Sequence, residues 1–136
     1  MLVSGTTEFT GFVTVREDAT GVVMQCAKAL ETEAAIGWVL MNHNATSASF
    51  RSTAQLLQES AVLVDAFPAN GGVEFAVTPR FAVLCTEELL FSVRWLAAER
   101  ETLIQTHFAE TVPECQLVCD LFGTQATLMS ITGLIR

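Results

Sequence analysis

The stretch TEELLFSVRWLAAERETLIQTHFAE, residues 86–110, decides the fold. Thr86-Glu87-Glu88 has the chemistry of a helix N-terminus, and Leu89, Val93, Leu96, Arg100, Leu103 and Phe108 partly fit one helical face. The rival period is two. Leu89, Phe91, Val93 and Trp95 alternate with Leu90, Ser92 and Arg94. Thr102, Ile104, Thr106 and Phe108 alternate with Leu103, Gln105 and His107. A Thr-Ile-Thr-Phe face suits a pleated sheet. We therefore read two strands joined by a turn near Ala97–Glu101, with a second long helix over 86–110 as the alternative.

Working outward, Thr111-Val112-Pro113-Glu114 reads as a turn. Cys115–Phe122 reads as a strand or short helix stopped by Gly123, and Thr127–Ile135 as a final strand. Upstream, Pro68-Ala69-Asn70-Gly71-Gly72 is a strong turn signal. Val73–Val77 and Arg80–Cys85 flank Thr78-Pro79 as two apolar strands. Phe50, Ala54, Leu57, Ala61 and Val64 recur at steps of four and three, which predicts an amphipathic helix at about 51–66. Ile36–Asn42 and Glu8–Arg16 read as strands. Glu17–Gly21 is turn chemistry, and Val22–Leu30 reads as a strand pairing back, with a helix start as its alternative. The sum is one α+β domain over 1–136, a mainly antiparallel sheet with one dominant helix.

Composition points to an apolar surface. The hydrophobic fraction is 51% and the charged fraction 16%, against a usual ~25% charged. That excludes disorder, which needs few apolar residues and many charges. Fifteen acids and seven bases give a net charge of −8. The bases are scattered, so direct nucleic-acid binding is not expected, and neither is an anionic membrane surface. No apolar run reaches the ~20 residues that span a bilayer. Residues 1–12 lack the pattern of a signal peptide. Four cysteines, at 26, 85, 115 and 119, are then expected as thiols of a reducing, intracellular compartment.

Candidate chemistry is sparse. His107, Cys115 and Cys119 are the best metal-ligating candidates, because imidazole and thiolate suit zinc. A fourth ligand, Cys85 or His43, has no supporting spacing, so buried thiols are the expected reading and no metal or cofactor is assigned. No Gly-x-Ser-x-Gly elbow and no phosphate-loop spacing occurs. The acidic pairs Glu87/Glu88 and Glu99/Glu101 sit at element ends, where solvated charge accounts for them. Trp95 beside Arg94 has the residue types of an interface hot spot.

Residues 63–122 resemble half of a sliding-clamp subunit, especially of the checkpoint clamp. The matching pieces are Leu63-Val64-Asp65-Ala66-Phe67, a loop, Val73-Glu74-Phe75-Ala76-Val77, then Phe91-Ser92-Val93-Arg94-Trp95, a short turn and Thr102-Leu103-Ile104-Gln105. The resemblance implies antiparallel sheets and a ring that recruits partners without doing chemistry. The expected function is a non-enzymatic interaction subunit, burying Phe91, Val93, Trp95, Ile104 and Phe108 on a protein partner or a second copy. The alternatives are an acidic binding module, such as a secretion chaperone or toxin-immunity protein, and a clamp-like genome-maintenance subunit. An enzyme with a site assembled from distant residues is the third class.

Overall fold

The computed structural model describes residues 2–44 and 50–123. The final strand expected at Thr127–Ile135 lies outside them. After a short 3-10 turn at Leu2–Ser4, strand β1 covers Glu8–Phe12 and helix α1 Glu17–Ala29. Strands β2 (Glu33–Gly37) and β3 (Val39–Leu40) follow, then helix α2 (Thr53–Ala66). Next come β4 (Val73–Phe75), β5 (Thr78–Pro79), helix α3 (Glu87–Arg100) and helix α4 (Val112–Phe122).

The sheet is parallel, not antiparallel. β1 pairs with β2, β2 with β4 and β3 with β5, all parallel. A fourth extended segment, 103–107, joins β5's side through a parallel bridge between Val77 and Ile104. Its ladder runs Val77 N–H to Leu103 O at 2.8 Å, Gln105 N–H to Val77 O at 3.1 Å and His107 N–H to Arg80 O at 3.0 Å. Counting β2–β3 and β4–β5 as one strand each, the spatial order of these four strands follows the chain order, with a helix between each successive pair. A helical crossover returns the chain to the same end of the sheet, so the next strand must run parallel.

Two misread segments account for the wrong topology. Residues 17–29 form a helix, not a turn and a strand. Its buried residues Thr20, Met24 and Ala27 follow helical spacing, with Glu17 and Asp18 in the first turn and Lys28 in the last, as the helix dipole favours. Residues 89–95 are likewise helix, not strand. Thr86 Oγ accepts the Leu89 N–H at 3.2 Å, and Glu101 ends α3 in left-handed backbone. Arg80–Cys85 is not a strand either, since Ala82–Leu84 is a 3-10 turn. Residues 112–122 take the helical option, capped by Thr111 and stopped by Gly123 at φ 66°.

One sheet face packs against the helices. Ile36, Trp38, Phe75 and Val77 of the sheet meet Met24 of α1, Leu63 of α2 and Leu89 of α3, all within one buried cluster. The Trp38 Nε1–H, fully buried, donates to Ser60 Oγ at 3.1 Å. The other face is built from small residues: Ala35, Gly37, Ala76 and Thr78 are all buried. No described helix is long and apolar enough to cross a membrane.

Candidate active site

The C-terminal ends of the parallel strands gather at one mouth. β1 ends at Phe12, Asn42 and His43 follow β3, Arg80 follows β5, and His107 closes the fourth segment. Sheets of consecutive β-α units place their chemistry at this end, while the opposite end serves stability.

Each strand end is held by a specific bond. Asn42, buried, uses its whole amide. Its Nδ2 donates to Thr53 Oγ1 at 3.1 Å and Thr86 Oγ1 at 2.9 Å, and its Oδ1 accepts the Thr86 N–H at 2.9 Å. This anchors the start of α2 and the start of α3 to the end of β3. The Arg80 carbonyl receives the His107 N–H at 3.0 Å and Thr106 Oγ1–H at 3.3 Å, and lies 3.3 Å from His107 Nδ1. The Arg80 side chain itself is exposed.

His107 faces Phe12 across the mouth, with ring centroids 4.2 Å apart and planes at 52°. Two residues back, Gln105 Nε2 donates to the Gly11 carbonyl at 3.1 Å and Thr78 Oγ1 at 3.0 Å. These contacts bring the first and fourth strands together over the second and third. Gly37 permits it: a Cβ there would lie 1.8 Å from Thr78 Oγ1, 2.3 Å from the Ala76 carbonyl and 2.8 Å from Gln105 Nε2. Beyond His107 the chain turns through Ala109 at φ 50° and presents Glu110, exposed, its N–H bound by Glu114 Oε2 at 2.9 Å.

At the opposite end, a hollow of about 440 Å³ is lined by Glu8, Glu33 and Glu74 together with Thr10, Ala35 and Leu103. Its position at the strand starts assigns it to the stability end.

The expected site residues scatter. His107 reaches the mouth, but Cys115 and Cys119 lie one turn apart on α4. No group of three or more His, Cys, Asp or Glu among the described residues comes together to hold a metal. Cys85 is buried, its Sγ 3.5 Å from the Leu40 carbonyl, and burial pushes its thiol up to about 12. His43 is exposed, next to Cys85 in a small surface hollow. Of the expected interface, Phe91 and Trp95 are exposed on the outer side of α3, whereas Val93 points into the core at 1% exposure. Ile104 and Phe108 are half-buried on the fourth segment. Gln105, Asn42, Arg80 and Glu110 were not singled out by sequence. The one local signal was Gly37 inside an apolar run, which marks close backbone approach.

Residues 1–135 match the Amidohydrolase family. The chain belongs to that family. Among curated relatives, guanine deaminase of Dictyostelium discoideum is 32% identical over 124 residues, which are 90% of this chain and 28% of that protein. The solved guanine deaminase of C. acetobutylicum, with guanine bound in its active site, superposes at TM-score 0.90 with 21% identity, covering 98% of this chain and 32% of that one. An adenosine deaminase from Xanthomonas campestris with bound zinc superposes at 0.81 with 20% identity, over 98% of this chain and 29% of that one. The chain spans less than a third of each. The last two likenesses establish the fold.

Amidohydrolase membership overturns three expectations. The chain is not a sliding-clamp half, because the resemblance paired residues 91–95 as a strand and they lie within α3. It is not a non-enzymatic interaction subunit or acidic binding module, since its family and relatives are enzymes. The apolar surplus that suggested an interface is the composition of a parallel sheet, whose strands are apolar on both faces.

Proposed function

We propose that this chain forms one side of the active-site mouth of a purine aminohydrolase whose substrate class is guanine. The reaction is hydrolytic deamination. Water oxygen bonds to the carbon bearing the exocyclic amine, the carbon–nitrogen bond breaks, and the nitrogen leaves as ammonia after gaining a proton.

The observation that carries this reading is the seat of His107 at the C-terminal end of the fourth parallel segment. The identity with guanine deaminases over nine-tenths of the chain supports the substrate class. With Nδ1–H donating to the Arg80 carbonyl at 3.3 Å, the neutral ring keeps its lone pair on Nε2. A backbone carbonyl on the other ring nitrogen is the usual way a working imidazole is fixed in one tautomer. Arg80 offers a planar fork of donors at the same mouth, suited to a purine's oxygen and ring-nitrogen edge. Glu110, three residues beyond His107, supplies a carboxylate for moving the proton that leaves with ammonia.

Zinc is not fitted by the described residues. No three His, Cys, Asp or Glu side chains among them come together, whereas a catalytic zinc takes three protein ligands. No step is therefore routed through a metal.

The deciding experiment measures ammonia release from guanine and from adenine by the protein as purified from its host, with His107→Ala and Arg80→Leu beside it. We expect guanine to be the preferred base. His107→Ala removes at least 100-fold in kcat, on the order of the general acid–base contribution. Arg80→Leu acts mainly on KM. Equal turnover of both bases, or an unchanged rate in His107→Ala, overturns the reading.

A further inference from the structure

We infer that Gln105 is a positioning residue for His107, tying the strand end that carries this imidazole to β1 and β5. The functional consequence rests on the deaminase reading above; the positioning itself does not.

Residues 105 and 107 lie on the same face of an extended segment, because side chains alternate along it. The amide group of Gln105 has two N–H donors. They reach two different strands: Nε2 lies 3.1 Å from the Gly11 carbonyl of β1 and 3.0 Å from Thr78 Oγ1 of β5. Thr78 is fully buried, and its hydroxyl donates to the Ala76 carbonyl at 2.8 Å. That bond fixes the hydroxyl hydrogen, so the oxygen lone pair faces Gln105. Gly37 of β2 lies beneath, with no room for a Cβ. One amide thus ties the fourth segment to β1 and β5 directly above β2.

The anchor on β1 is Gly11, the neighbour of Phe12, and Phe12 is the ring that faces His107 at 4.2 Å. Gln105 therefore sets the distance between the imidazole and its ring partner. With both donors engaged, its amide nitrogen is committed to the fold. Displacements near 1 Å at a reacting group cost on the order of 100-fold in rate.

The test reads His107 directly. A ring 4.2 Å away displaces the His107 carbon-bound proton resonances, and Phe12→Leu calibrates that displacement by NMR at fixed pH. Gln105→Leu is expected to remove most of it while thermal unfolding stays cooperative. Gln105→Glu is expected not to restore it, because a carboxylate cannot donate to the Gly11 carbonyl. Thr78→Val, which deletes one of the two acceptors at nearly constant shape, is expected to remove part of it. Turnover of guanine in Gln105→Leu is expected to fall 10–100-fold in kcat, with KM within about twofold. Retention of the full displacement in Gln105→Leu overturns the proposal. If that variant does not fold, full retention in Thr78→Val overturns it instead. Loss of the displacement in a protein whose wild type does not hydrolyse guanine upholds the positioning role and overturns the substrate reading.

Discussion

Cys85 shows how a residue's environment changes its chemistry. Only 2% of it is exposed, and burial raises its thiol from an ordinary 9.0 to about 12. Desolvation disfavours the thiolate. Between pH 9 and 12 the unfolded chain loses this proton and the folded chain keeps it. Stability is then full below pH 9 and falls by about 1.4 kcal/mol per pH unit above it, from this group alone. Urea unfolding at pH 8, 10 and 11 checks this: Cys85→Ala is expected to show a shallower alkaline decline than the wild type. Equal slopes in the two proteins would show that the thiol titrates normally in the folded state. The exposed Cys26 is expected to react with thiol reagents at pH 8, and the buried Cys85 to stay unmodified until the chain unfolds. At this scale the sequence made His107 visible, because an imidazole is a candidate wherever it stands. Gln105 and Thr78 were invisible, since a polar side chain at an inward position declares itself only when its partner, here 27 residues away, is known.

At the scale of elements, α2 was legible in extent and misread in phase. The expected stripe was Phe50, Ala54, Leu57, Ala61 and Val64. The buried residues are Thr53, Leu56, Ser60, Leu63 and Val64, while Phe50 is 63% exposed. The inward face is turned by roughly one residue. Ser60 goes inside to accept from Trp38, and Thr53 to accept from Asn42. Both partners lie on the β2–β3 arm, where counting apolar residues along one helix cannot see them. The start of α2 rests on a capping box: Ser52 Oγ accepts the Gln55 N–H at 3.3 Å, and Gln55 Oε1 accepts the Ser52 N–H at 3.0 Å. Loss of such a cap costs about 1 kcal/mol. Ser52→Ala is expected to lower the unfolding free energy by that amount, seen as a lower urea midpoint at unchanged slope, and Ser52→Gly by only a few tenths of a kcal/mol. In α3 the two periods were both present. The cap at Thr86, the acids at 87 and 88 and Arg100 in the last turn were the discriminating signals, and tertiary packing overrode the β-propensity of Phe91-Ser92-Val93.

For the whole molecule, one error of period propagated to the topology. Reading 22–30 and 89–95 as strands leaves short turns between neighbours everywhere except across α2, and short turns force antiparallel pairing. Restoring α1 and α3 makes every connection a crossover, and the sheet becomes parallel. Parallel sheets are ordinarily covered on both faces. Here the helices cover one face, and among the described residues β1 is an edge strand with no neighbour on its outer side. The chain also exposes Trp95 at 77% and Phe91 at 42%, one turn apart on α3. Either surface is a route to self-association, since an unpaired edge is a template for another strand and a paired aromatic patch favours burial. The edge runs along the whole of β1, whereas the patch is two side chains wide, so the edge is the stronger driver. The 136-residue chain, purified alone at micromolar concentration, is expected to exceed its monomer mass of 14.7 kDa by light scattering and to bind a hydrophobic dye. Thr10→Lys, which sets a charge in the middle of the edge strand, is expected to shift the mass toward the monomer. Trp95→Ser is expected to weaken dye binding while leaving most of the association in place. A monomer that Thr10→Lys leaves unchanged, and that binds no dye, would mean that the edge is already covered.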